Sequence, residues 1–510
     1  MRRVCPFAFL TITQPEYHWC MSNVYNRPGR WMRPVWLLFG LAILAAFLLA
    51  AFIFVKPLRS FAETQSYLNR QGAAMKPGFR YELWAMDQAP RYSLVVTVDP
   101  ENGIARGEMT VQYFHSGQSP VSELAFRLLP NAQAVYGGGL LSIERITQDG
   151  LDLLASISED QSTLWVSLPQ PLSFGDSAAI RMEFTSQAPF NSTQGYGIFN
   201  QSSEMLTLAG WYPILAVYRD GWIVPTFPTV GDAIMAETSL YDVQITLPQG
   251  YQLVSTGTVI SRKTGDSSQV RWHIKSGPVR EFAAAISNKF EVRERTVSGT
   301  VLRSYTLPAE NPVTGPDECL KMMEDAFRVY QQRFGPYPYK ELEMVEAAVN
   351  IGGFEFSGMV YVDDELRTNG QASDYRYLLA HELAHQWWYG LVGNNTIQEP
   401  WLDEAHAAYA AVIYLEQVDG PEAGEALIQR WESNPGLREP GQPPVNSSAL
   451  DFSDWTAYRD SIYTHGALFI DQLRKEMGDE AFFRFLLRYQ EEYRYQIATS
   501  DDYFKLAEEI

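Results

Sequence analysis

Cysteine is scarce in this chain. Three occur in 510 residues, Cys5, Cys20 and Cys319, which excludes a disulfide-stapled scaffold and leaves stability to a hydrophobic core. Basic charge is also short: 40 Lys and Arg face 60 Asp and Glu, a formal net charge of −20. A phosphate backbone would be repelled by that balance, so nucleic acid is excluded as a partner. No internal repeat and no low-complexity tract is found beyond one apolar run near the start, which removes solenoids and repeat arrays. What is there is the make-up of a folded protein, 46% hydrophobic and 20% charged. A chain of this length divides into two or three globular units.

The apolar run, VWLLFGLAILAAFLLAAFIFV at 35–55, carries no charge. As a helix it extends about 30 Å, the thickness of a bilayer's hydrocarbon core. Arg2, Arg3, Arg27, Arg30 and Arg33 precede it, against Glu16 as the single acid. The positive-inside rule then makes 1–34 a cytoplasmic segment, 35–55 a single-pass anchor, and everything after Lys56 extracytoplasmic. Ser60-Phe61-Ala62 keeps a cleaved signal peptide open as the alternative, and Met21 is an alternative start. On the anchor reading Cys319 is the one thiol outside, with no disulfide partner.

Residues 56–78 read as a polar linker. From 79 to 295 the chain reads as strands, among them 92–99, 107–114, 178–184, 240–247 and 269–274, separated by turn signals such as Asn102-Gly103 and Asp149-Gly150. This predicts a β-rich saddle or sandwich. From 296 to 510 the pattern becomes α+β. An amphipathic helix is expected over 317–335, strands at 342–349 and 358–364, and helices at about 374–389, 400–417, 459–477 and 479–494.

Four of the seven histidines lie between 381 and 465, two of them in HELAHQWW at 381–388. On a helix capped by Ser373 or Asp374, His381 and His385 share one face and both imidazoles can reach one ion. Glu382 is rotated about 100° away and falls beside that ion. This is the H-E-x-x-H arrangement of two zinc ligands and a carboxylate base. A hydrolytic zinc takes a third protein ligand and keeps one position open. Glu404 stands nineteen residues after His385, early on a second helix opened by Pro400, and can close the set.

H-E-x-x-H followed by 18 residues and a W-L-x-E context resembles the gluzincin aminopeptidases, of the aminopeptidase N and leukotriene A4 hydrolase type. GGFEF at 352–356 and IYTHGA at 462–467 match that family's exopeptidase motif and its tyrosine segment. The likeness runs from about 320 to 475. It is weaker over the β-rich half, where FPTVGDAIMAETSLYDVQITLPQGY is similar to the segment joining the sheets. The resemblance implies a thermolysin-like catalytic domain, one Zn2+ per chain on His381, His385 and Glu404, and Glu382 as the base. It implies Tyr463 as a hydrogen-bond donor to the developing oxyanion. Glu355 would bind the α-ammonium of a peptide with a free N-terminus, and Gly352 and Gly353 would let the substrate pair as an added strand.

The chain departs from the family's pattern at Phe354, Phe356, Asp403 and His465, which keeps open a zinc endopeptidase or a peptidase of relaxed specificity. A catalytically silent ectodomain is the third reading. His406 and His115 read as ordinary residues. Ending at Ile510, without the helical C-terminal domain of many relatives, the chain is expected to have a more open cleft.

Overall fold

The computed structural model describes residues 61–265, 268–438 and 441–510. The 35–55 run expected to span a membrane, and the cytoplasmic segment before it, lie outside the described residues. Among the described residues no helix is long and apolar enough to cross a membrane. Residues 64–510 form one compact unit.

The first half of that unit is built from strands whose polarity alternates. Arg91–Asp99 buries Leu94, Val96 and Val98 and exposes the residues between them, as a half-buried strand must. It lies inside an eight-stranded sheet, between Leu240–Pro248, to which it runs parallel, and the antiparallel Ile104–Phe114. Two four-stranded sheets and a two-stranded ribbon complete this β-rich part. Between Ile223 and Leu240 the chain carries no regular secondary structure, yet Val230, Asp232, Ile234 and Ala236 are buried.

The stretch expected as a polar linker is instead helical over residues 61–71 and packed. Leu68, Gln71 and Met75 are buried. Gln71 Nε2 donates to the Tyr241 carbonyl at 3.2 Å, and Lys340 Nζ donates to the Ala73 carbonyl at 2.6 Å. The polar residues that made it read as a stalk cover one face only, and the other is clamped between the two halves.

The second half opens with a five-stranded mixed sheet in the order Glu291–Val297, Thr300–Thr306, Glu341–Ala347, Met359–Asp363, Gly353–Phe356. Its last strand is therefore an edge. Helix Pro316–Phe334 packs over this sheet, and its Tyr330 hydroxyl donates to the Ala380 carbonyl at 2.8 Å. Helix Ala372–Ala384 lies beside it, followed by the Ala-rich Trp401–Val418. Small side chains at 405, 407 and 408 let neighbours approach: a Cβ at Gly466 would sit 2.5 Å from Ala405 Cβ. Two helices not expected from the sequence, Pro421–Glu432 and Ser500–Glu508, complete the unit.

Candidate metal centre and cleft

The histidine helix begins at Ala372, with Gln371 at its N-cap, so Ser373 and Asp374 occupy the first turn and cap nothing. It ends at Ala384, earlier than expected, but His385 keeps right-handed helical angles (φ −61°, ψ −13°). The one-turn spacing of His381 and His385 therefore survives. Beyond them Trp387 packs among Phe327, Tyr330 and Tyr337. Gln386 ties the helix to the edge strand, accepting from Gly358 N at 2.8 Å and donating to the Phe356 carbonyl at 3.0 Å. The letters after the histidines thus set the distance between helix and strand.

His381 Nε2, His385 Nε2 and a Glu404 oxygen converge: 3.1 Å separates the two nitrogens, and they lie 3.2 and 3.4 Å from Glu404 Oε2. A tetrahedral ion with ligand distances of about 2.0–2.2 Å needs donors about 3.3–3.6 Å apart, so the three atoms come within about 0.2 Å of that spacing and a small outward shift admits one. His385 Nδ1 lies 3.0 Å from the Trp388 carbonyl, which makes it the N–H donor and turns the Nε2 lone pair inward. Burial alone would raise Glu404, but hydrogen bonds to His381 and His385 pull it down to about 2. Burial opposes a charge on His385, yet Glu404 raises it to about 9.

Glu382 is 4% exposed and its Oε2 has no hydrogen-bond partner. Burial lifts its carboxyl to about 8, with His385 opposing. Gly353 comes so close that a Cβ there would stand 2.3 Å from Glu382 Oε1. Gly352 takes φ +90°, open to glycine at little cost. Tyr463 sits on a π-helical stretch, Arg459–His465, inside what the sequence presents as one continuous helix. Such turns are frequent at functional sites. Its ring stacks 5.6 Å from that of His381, and its hydroxyl donates to Glu404 Oε1.

Glu355 points into the same cleft, and the structure adds a partner that sequence reasoning missed. Asp232, from the irregular segment of the β-rich half, hydrogen-bonds Glu355, and Asp403 lies within reach of both. Burial first, then Asp232, drive Glu355 well above the ordinary carboxylate range, while burial raises Asp232 to about 6. Burial and the two facing carboxylates thus favour a proton shared between the pair. Nothing local marks Asp232, which lies in no periodic segment. A cleft of about 90 Å3 joins these groups and is walled by Tyr196, Phe354, Tyr377 and Trp455. Phe356 is fully buried against Tyr361 and takes no part in that wall. His406 is buried beside Trp401 and Tyr503, away from the donor atoms.

Residues 317–510 match the peptidase family M1 domain. The helical half of the chain thus resembles an M1 peptidase domain. The M1 domain and its β-rich neighbour together follow a known architecture. An M1 zinc metallopeptidase from Deinococcus radiodurans superposes with a TM-score of 0.64 over 83% of this chain and 90% of that one, at 19% identity, which shows the shared fold. Aminopeptidase M1-B of Oryza sativa subsp. japonica is 30% identical over 236 residues, 42% of this chain and 26% of the relative. Aminopeptidase N of Streptomyces lividans is 22% identical over 263 residues, 48% of this chain and 30% of the relative. The chain thus spans about a quarter to a third of the curated relatives it matches.

Proposed function

We propose that this chain is a zinc aminopeptidase that removes the N-terminal residue of peptides. The observation that carries the reading is the joining of two sites in one cleft: a three-donor metal set with a free carboxylate beside it, and a buried carboxylate pair a few ångströms away. His381, His385 and Glu404 hold Zn2+. Bound there, the ion supplies Lewis acidity towards a peptide carbonyl and acidifies water to near neutrality. Glu382 accepts the proton of the attacking water and returns it to the leaving amine. The Tyr463 hydroxyl, which rests on Glu404, transfers its hydrogen bond to the carbonyl oxygen as that oxygen gains charge.

Asp232 and Glu355 exchange their shared proton for the substrate's α-ammonium, which brings the positive charge that two buried carboxylates need. Edge strand Gly353–Phe356 has room for a peptide to pair beside it. The product is one free amino acid and a shortened peptide.

The test is hydrolysis of a peptide with a free N-terminus beside its N-acetylated form, with Glu382→Ala as control. Cleavage of the free form only, lost in the control, is expected. Equal cleavage of both forms would show an endopeptidase. The uncharged run at 35–55 and the arginines before it support a membrane-anchored enzyme working outside the cytoplasm. Release of the full chain by alkaline carbonate would count against that.

A further inference from the structure

A second cavity, of about 700 Å3, opens directly from the metal cleft and shares Ile351, Tyr377, Trp455 and Tyr463 with it. Its lining includes Tyr463 and Thr464 but neither Asp232 nor Glu355, which line the metal cleft. On the proposed reading it therefore receives the leaving part of the peptide. In a chain of net charge −20 its wall carries three guanidiniums, Arg376, Arg430 and Arg459.

Two of these are already neutralised. Arg376 Nη1 donates to Asp419 at 2.6 Å, and Arg459 Nη2 donates to Asp460 at 3.3 Å. The remaining lining acid, Asp374, lies in the first turn of helix Ala372–Ala384, where the helix N-terminus offsets its charge. Arg430, on helix Pro421–Glu432, has no side-chain hydrogen bond or ion pair among the described residues, and its field reaches Tyr377. Trp431 beside it touches Tyr377 edge-on at 6.2 Å, and Tyr377 lies 6.2 Å from His381. Two such steps are the reach of roughly four extended residues.

We propose that Arg430 recognises a carboxylate about three or four residues beyond the scissile bond, which makes short peptides with a free C-terminus, or peptides with an acidic residue at that place, the preferred substrates. The inference rests on the aminopeptidase reading. The guanidinium offers paired donors in the geometry of a carboxylate. Apolar walls of Trp431 and Trp455 cover the intervening side chains without selecting among them.

The test compares three tetrapeptides with free N-termini: the C-terminal acid, its amide, and the amide carrying Glu in the last position. The acid should exceed the plain amide in kcat/KM by roughly three- to tenfold, mainly through KM, with a gap that narrows as salt is added. Arg430→Gln should close the gap. Recovery by the Glu-containing amide means a side-chain carboxylate suffices, and no recovery means the C-terminal one is read. Equal rates for acid and amide, or a gap that persists in Arg430→Gln, overturn the proposal. An N-acetylated acid cleaved as fast as the free one overturns the aminopeptidase reading instead, while leaving the acid–amide gap measurable. Cleavage of none of them removes both.

Discussion

Tyr463 shows how little one residue type signals until its surroundings are known. It is one of 28 tyrosines, and what singles it out is a hydroxyl on Glu404 and a ring stacked on His381. On the proposed reading its hydrogen bond passes to the oxygen of the scissile carbonyl in the transition state, so Tyr463→Phe should lower kcat by about 100- to 1,000-fold and leave KM nearly unchanged. A loss confined to KM would assign Tyr463 to binding. His406 carries a different expectation. Burial depresses it from 6.5 to about 3, so it adds stability above about pH 6.5 that is lost as pH falls towards 3. Between pH 7 and 5 the Tm of the native chain should fall more steeply than that of His406→Gln. Parallel slopes would show that His406 is not buried in its neutral form.

At the level of elements, the cleft depends on how a strand, a helix and an irregular segment are fastened. Gly353 lies against Glu382, and the Cβ of Gly353→Ala would push the base aside. A fall of at least tenfold in kcat, with bound zinc retained, is expected, and metal loss would place the clash elsewhere. Arg280 is the second fastening. It is 2% exposed and donates to the carbonyls of Tyr389 at 2.6 Å, Ala236 at 3.2 Å and Gln496 at 2.7 Å. The first holds the turn after the histidines, where Tyr389 has φ +119°, and the second holds the segment that carries Asp232. Arg280→Met removes a donor from each of those carbonyls and should cost about 3–5 kcal/mol in urea unfolding, together with a raised KM. An unchanged KM would mean that Asp232 is held without it.

For the whole molecule, metal binding and stability are one measurement. An ion held by His381, His385 and Glu404 in the folded state alone stabilises it by about 4 kcal/mol at a thousand times Kd. Chelation should lower Tm by roughly 5 °C or more, and added zinc should restore it. Glu382→Gln should keep that shift and His385→Ala should lose it; a Tm indifferent to chelator would remove the metal from this site. The segment 64–76 joins the β-rich and helical parts through Gln71 and Lys340. A sequence reading could not see this, since its polar residues resemble a stalk until both of its neighbours are in place.

Local spacing determined much of this protein before any coordinates. A helical repeat puts His381 and His385 on one face and Glu382 beside them, because 3.6 residues per turn is a property of the backbone alone. Alternation marked strands such as Arg91–Asp99 for the same reason. Glu404 and Glu355 were legible only as members of a motif pattern, and their separation from the histidines in space was not. Tertiary structure decided the rest: that Asp232 meets Glu355, that the Tyr463 hydroxyl rests on Glu404, and that Arg430 lines the cavity beside the metal cleft. Each of these brings together segments far apart in the chain. Such contacts arise from packing against the whole core, which no window of sequence contains.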